Sequence, residues 1–173
     1  MPKPTVLPER LGKGGRRVFD FAGLMSEREI ASLEEIIANM RKQWNMDIIV
    51  LTSFDAKTDK SQDFADNFYD TNGFGEDSDF RGFVFFIDMH NRVGTVSTTG
   101  LMIRYVTDSR LDLFFDIVYP YLASGEYGQA AYMALDQISS YLSAGIPDGQ
   151  YNQDEHGNKD FFETPTPYYP SAD

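Results

Sequence analysis

Two short apolar runs constrain the fold of this chain most strongly. Residues 46–52 and 82–88 are dense in β-branched and aromatic side chains, which is typical of strands covered on both faces. Between them, residues 61–70 carry the apolar spacing of a helix and lead into a cluster of turn-forming residues. A strand, a crossover helix and a second strand predict a right-handed parallel unit. The two runs should therefore form the centre of a sheet.

A third strand is predicted immediately after the second apolar run. Residues 92–98 alternate more between apolar and polar side chains, and they follow a turn-like segment at 89–91. The second and third strands should form an antiparallel hairpin, so the predicted sheet is mixed.

Helices are predicted on both sides of these strands along the chain. Ser26 and Glu29 have the spacing of a capping box that begins a helix running to about Trp44. Thr107 caps a later helix, and a further helix follows Gly125. The expected buried stripes of the last two are Leu111, Phe114, Phe115, Val118 and Leu122, then Ala131, Leu135, Ile138 and Leu142. These helices can cover both faces of the sheet.

Composition divides the chain into three parts. Residues 1–16 contain prolines and glycines without an apolar period and predict a flexible N-terminal arm, while 17–144 hold the α/β domain. Residues 145–173 are rich in acidic residues, proline and aromatics and predict an extended tail. The basic run at 12–17 resembles a phosphate loop only superficially, because no strand precedes it and no Gly-Lys-Ser/Thr ends it.

Charge and cysteine content exclude several classes of function. The 173 residues carry a formal net charge of −12, which repels phosphate backbones, so we expect no nucleic-acid partner. The chain has no cysteine, which excludes disulfides, thiolate zinc sites, iron–sulfur clusters and cysteine nucleophiles. We also expect no transmembrane segment in this chain, because no stretch approaches about 18 apolar residues.

Three carboxylates are predicted at one edge of the sheet. Ligands of open α/β sheets collect beyond the carboxyl ends of parallel strands, which are expected near Asp55 and Asp88. The first helix should begin near the same edge, which brings Asp20 to it. Carboxylate oxygens suit Ca²⁺, and secondarily Mg²⁺, with waters and carbonyls completing the ligand set. The alternative is that the three residues are separate caps and turn residues.

Four further residues are secondary candidates. Asp77 and Asp79 precede the second apolar strand with the spacing of an EF-hand loop, but the central glycine and distal glutamate are missing. A solvated acidic turn fits them better. His90 could serve as a base or ligand beside Asp88, and Arg81 could bind an anion or pair with a neighbouring acid.

Short motifs spread over residues 17–142 resemble the TPM domain family. They are Val18-x-Asp20-x-Ala22-Gly23-Leu24-Met25-Ser26, Gly82 opening an apolar strand, Thr99-Gly100, and Tyr127-x-x-Ala130. This family includes a thylakoid-lumen photosystem II repair protein and bacterial envelope proteins. The resemblance implies an α/β fold, a three-layer α/β/α sandwich around a mixed, mostly parallel sheet of about four strands. The chain departs from the family in the loop at 79–82, where the acidic residue is displaced by one position.

The resemblance also implies a class of function. Some TPM domains look like acid phosphatases, others bind calcium, and many belong to proteins with a signal peptide and a membrane segment. We therefore expect an extracytoplasmic binding or assembly module, tethered to a membrane in the full-length protein, that acts with a protein partner at or near that membrane. The alternative is a weak metal-dependent acid phosphatase acting on phosphomonoesters.

Overall fold

A four-stranded mixed sheet forms the centre of the molecule. The computed structural model describes residues 10–147, apart from the side chain of Asp77. The strands are β1 (Val18–Asp20), β2 (Asp47–Ser53), β3 (Gly82–Asp88) and β4 (Val93–Thr99), in that order across the sheet. β1, β2 and β3 run parallel, and β4 runs antiparallel to β3. The predicted parallel pairing of β2 with β3 and the predicted hairpin of β3 and β4 are confirmed.

Within residues 10–147, five α-helices flank this sheet. They are α1 (Glu27–Trp44), α2 (Ser61–Thr71), α3 (Met102–Tyr105), α4 (Asp108–Ala123) and α5 (Tyr127–Ala144). The Ser26–Glu29 capping box and the Thr107 cap are both present. All nine side chains expected in the stripes of α4 and α5 are buried. The one-turn helix α3 was not predicted, because four residues show no periodicity.

The two faces of the sheet are covered by different helices. Ile48, Val50 and the odd-numbered side chains of β3 pack with α1, α4 and α5 in the larger core. Ile49, Leu51 and the even-numbered side chains of β3 pack with α2 in the smaller one. The predicted three-layer α/β/α sandwich is thus confirmed.

The two crossover connections have opposite hands. Both steps, from β1 to β2 and from β2 to β3, move in the same direction across the sheet. However, α1 lies on one face and α2 on the other. One of the two βαβ units therefore departs from the right-handed rule that parallel connections usually follow.

Part of the segment expected to be a flexible arm packs against the domain. Leu11–Lys13 form a 3₁₀ turn, and the buried Gly12 donates its N–H to the carbonyl of Asn72 at 2.8 Å. Arg10 pairs with Glu76 at 3.0 Å, and Lys13 pairs with the same carboxylate. Residues 1–9 and 148–173, which hold the rest of the arm and nearly all of the predicted tail, lie outside the described residues.

Gly82 opens β3 because a larger residue would not fit against Tyr69. The Tyr69 ring of α2 is 2% exposed and fills the space that a β-carbon at Gly82 would occupy. Burial raises the pKa of the Tyr69 hydroxyl to about 12, so it stays protonated at neutral pH. The close approach of α2 to the first residue of β3 thus depends on glycine.

We expect Gly82→Ala to lower the free energy of unfolding by about 1–3 kcal/mol, because the added methyl group overpacks this contact. Gly15→Ala is the matched control, since nothing lies within 4 Å of a β-carbon built there. Urea unfolding followed by the fluorescence of Trp44 measures both. Equal stability of the two variants would show that the Tyr69 contact does not require glycine.

Candidate functional site

Asp20 stabilises the turn that leads from β1 into α1. Its Oδ1 accepts hydrogen bonds from the Leu24 N–H at 2.9 Å and the Thr52 hydroxyl at 2.6 Å. Its Oδ2 accepts one from the Met25 N–H at 2.9 Å. Both carboxylate oxygens therefore already bind protein donors.

Asp88 holds the turn between β3 and β4 against the start of α2. The side chain is fully buried, and its Oδ1 accepts the N–H groups of His90 and Asn91 at 2.9 and 3.0 Å. Its Oδ2 accepts the Ser61 hydroxyl at 2.5 Å and the Asn91 side-chain amide at 2.7 Å. Four donors stabilise this carboxylate, which explains how a buried charge is tolerated here.

The pleat of the sheet separates these two aspartates. Both lie at the carboxyl edge, the edge where β1, β2 and β3 end, as the sequence predicted. Side chains alternate between faces along a strand. Asp20 shares the face of Val18, toward α1, whereas Asp88 shares the face of Phe86, toward α2. Their carboxylates leave opposite faces and do not converge.

The third predicted ligand, Asp55, is exposed. Its N–H bonds to the Ser53 hydroxyl at 2.9 Å, and its carboxylate accepts no hydrogen bond among residues 10–147. Over that same range, no group of three or more acidic or histidine side chains lies close enough to hold one metal ion. Calcium or magnesium binding at this edge stays a prediction.

His90 lies at the carboxyl edge together with Asp88. Its ring is exposed, and its Nε2 lies 3.1 Å from the Thr58 hydroxyl. Asp55 and His90 follow the ends of the neighbouring strands β2 and β3. They are accessible polar groups at this edge.

The remaining candidates lie at the amino edge, where the parallel strands begin. The Arg81 carbonyl accepts the Asp47 N–H at 2.7 Å beside the first residue of β3. Asp79 is exposed and has a left-handed backbone with φ of 56°, which aspartate tolerates. Asp77 belongs to the short helix Glu76–Ser78, but its side chain is outside the described part. Arg81 therefore does not face the carboxylates of the opposite edge.

A buried ion pair at the amino edge was missed by the sequence analysis. The Arg17 guanidinium is 2% exposed, and its Nε lies 2.5 Å from Oδ1 of Asp47, the first residue of β2. Asp47 Oδ2 also accepts the Gly75 N–H at 2.8 Å. The sequence signal is Asp47 itself, a charged residue inside the apolar run at 46–52. This signal does not reveal that Arg17, 30 residues earlier, is its counter-ion.

Two exposed phenylalanines at the carboxyl edge were also not predicted. Phe21 follows β1 and is 58% exposed, and Phe54 follows β2 and is 56% exposed. The Phe21 N–H bonds to the Thr52 carbonyl at 3.2 Å, and its ring packs beside Phe19 and Phe68 at 6.1 Å between centroids. The adjacent strand ends therefore carry aromatic surface into solvent. We call Phe21 and Phe54 the aromatic pair.

Sequence comparison identifies the family of the chain. Residues 18–141 match the TPM domain. The chain belongs to the TPM domain family. It is also 27% identical over 151 residues to the UPF0603 protein YdjH of Bacillus subtilis (strain 168), covering 86% of this chain and 56% of that protein. The chain thus spans little more than half the length of this curated relative.

Solved structures of three bacterial proteins share this fold. The N-terminal domain of a protein from P. gingivalis superposes with a TM-score of 0.67 at 20% identity, covering 79% of this chain and 88% of that one. The BA42 protein of Bizionia argentinensis superposes with a TM-score of 0.62 at 13% identity, covering 71% of this chain and 84% of that one. The N-terminal domain of cg2496 from Corynebacterium glutamicum superposes with a TM-score of 0.54 at 16% identity, covering 86% of this chain and 90% of that one.

The residues that carry the resemblance to TPM domains have structural roles here. Gly82 accommodates the ring of Tyr69. Gly100 has a φ of 60° and lies against the Phe80 carbonyl. Together with the turn held by Asp20, these contacts support the packing of this domain. They do not specify a reaction.

We expect Asp20→Asn to lower the free energy of unfolding by about 1–3 kcal/mol, because one side-chain oxygen is replaced by a donor facing N–H groups. Asp55→Asn should change it by no more than about 0.5 kcal/mol, since the exposed carboxylate accepts no hydrogen bond from any residue that the structure describes. Urea unfolding of both variants measures the difference. Equal losses would contradict the structural role of Asp20.

Proposed function

We propose that this TPM domain is a binding module that docks a protein partner through the aromatic pair. The observation that carries the proposal is the exposure of Phe21 and Phe54, both above one half, at the ends of adjacent strands. Aromatic side chains are enriched in protein interfaces, where they supply large contact areas at a low entropic cost. Phe68 and Phe19 support Phe21 from below, so this part of the surface is anchored in the smaller core.

The overall charge favours a particular kind of partner. A net charge of −12 repels nucleic acids and anionic lipid surfaces alike. A protein with an apolar pocket bordered by basic side chains complements both the aromatic pair and this charge. We propose that class of partner.

The proposed setting is outside the cytoplasm, at or near a membrane to which the full-length protein is tethered. This setting is the one implied by the resemblance to bacterial envelope proteins. Within residues 10–147, none of the helices has the length and apolar character that crossing a bilayer requires. Tethering is therefore a proposal about the whole protein.

A photoreactive phenylalanine analogue at position 54 of the full-length protein tests the docking surface in cells. We expect one dominant adduct with another protein. That protein, once purified, should bind the unmodified domain, and Phe21→Ser/Phe54→Ser should weaken the Kd at least tenfold because the apolar anchors are lost.

Leu113→Ser is the matched control for this experiment. Leu113 is 48% exposed on α4, a helix that packs on the sheet face opposite Phe19 and Phe21, so its substitution should leave the Kd unchanged within about twofold. Absence of an adduct at position 54, or equal binding by the double variant and the control, would contradict the proposal.

A second candidate function is metal-dependent hydrolysis of phosphomonoesters. The observation that favours it is the accessibility of Asp55 and His90 at neighbouring strand ends, since a carboxylate can bind a metal and an imidazole can move a proton. Calcium, with magnesium as the alternative, would need carbonyls and waters as its other ligands.

Asp55→Asn separates these activities from the docking function. If the domain is a docking module alone, the unmodified domain and Asp55→Asn should behave alike. We expect neither protein to hydrolyse an aryl phosphate, and we expect millimolar Ca²⁺ or Mg²⁺ to change the Tm of both by the same amount. A Tm rise in the unmodified domain that Asp55→Asn abolishes would establish a metal site at the carboxyl edge. Metal-dependent turnover that the same substitution abolishes would favour the enzyme over the binding module.

A further inference from the structure

A cavity of about 280 Å³ opens at the amino edge, opposite the aromatic pair. Its walls come from the last turns of α1, the start of β2, the 3₁₀ turn Leu11–Lys13 and the loop at 73–78. We call it the amino-edge cavity. Its charged lining residues are Lys13, Arg17, Arg41, Lys42, Asp47 and Glu76.

The lining carries more positive than negative charge in a strongly acidic chain. Four cations and two carboxylates give a formal local charge of +2, whereas the whole chain has −12. The C-terminus of α1 accounts for only part of this excess, because a helix end is equivalent to roughly half a negative charge.

Both carboxylates of the cavity are already engaged. Asp47 accepts the Arg17 guanidinium and the Gly75 N–H, and Arg41 Nε lies 3.4 Å from its Oδ1. Glu76 pairs with Arg10 and Lys13, and the hydrogen bond from Lys13 lowers its pKa. These carboxylates therefore have little remaining capacity to neutralise further cations.

Lys42 supplies a cation whose side chain is exposed to solvent. Within residues 10–147, its exposed ammonium makes no ion pair. The Lys13 side chain is about half exposed. Its ammonium has three N–H donors, of which one binds Glu76. Two ammonium groups from different segments thus line one cavity.

The wall of the cavity is held by close backbone packing. Gly12 lies against the backbone of Gly73, leaving no room for a β-carbon, and its N–H bonds to the Asn72 carbonyl. The buried Arg17 also donates to the carbonyls of Gly12 and Gly14 at 3.2 and 2.6 Å. The segment that carries Lys13 is therefore fixed against the loop at 73–78.

We propose that the amino-edge cavity binds a small dianion whose charge is carried on oxygen atoms, of the phosphate or dicarboxylate class. A +2 lining matches two negative charges, and a volume of about 280 Å³ admits a small molecule of this kind. The inference is independent of the proposed docking function, because the cavity lies at the other edge of the sheet.

Titrations with inorganic phosphate and with succinate, followed by amide NMR at constant ionic strength, test this site. We expect saturable shifts in amides of residues 12–13, 41–47 and 73–78 for at least one probe. Lys42→Gln should weaken the Kd about tenfold, because one ammonium interacts with two anionic charges at short range. Shifts with succinate alone would assign the site to dicarboxylates, and shifts with phosphate would extend it to phosphate groups.

Lys57→Gln is the matched control for Lys42→Gln. Lys57 is also exposed, but it lies in the loop after β2, at the carboxyl edge. This variant should keep the Kd within about twofold, since the Debye length near physiological ionic strength is about 8 Å. Absence of saturation with both probes, or equal weakening by the two substitutions, would overturn the proposal.

Discussion

The buried ion pair between Arg17 and Asp47 links three segments that are distant in sequence. It connects the chain before β1, the first residue of β2 and, through the Gly75 N–H, the loop before β3. Taking two charges out of water is expensive unless further hydrogen bonds satisfy them. Here the Arg17 guanidinium also donates to backbone carbonyls and stacks 5.0 Å from the centre of the Phe74 ring. The amino edge and its cavity depend on this arrangement.

Much of the fold could be predicted because its central strands are buried on both faces. The apolar runs at 46–52 and 82–88 match β2 and β3 closely, and the helical stripes matched buried positions. β1 was not predicted, because a strand of three residues is too short to show an alternation of apolar and polar side chains. The packing of Gly12 was missed for a different reason, since it depends on a backbone contact with residues 60 positions away.

The candidate site was harder to predict than the fold. Sequence order correctly placed Asp20 and Asp88 at the carboxyl edge, yet it did not show that the pleat sends their side chains to opposite faces. That distinction requires the register of β1, which was not recognised as a strand.

The exposure of Phe21 and Phe54 could not be predicted from the sequence either, because a phenylalanine beside a strand normally indicates the core. In this chain, Gly82 and Gly100 are required by close backbone and side-chain contacts, so the residues that carry the family resemblance support the fold rather than a reaction.

A double-mutant cycle on Arg17 and Asp47 tests most directly whether this pair holds the amino edge together. Arg17→Met and Asp47→Asn should each lower the free energy of unfolding by about 3–5 kcal/mol, because each leaves a buried partner without its counter-charge. The double variant should lose at least about 1 kcal/mol less than the sum of the two. The exposed Lys60–Asp63 pair, at 3.7 Å, provides a comparison cycle with a coupling of at most about 0.5 kcal/mol. Additive losses at Arg17 and Asp47, or single losses below about 1 kcal/mol, would contradict the account.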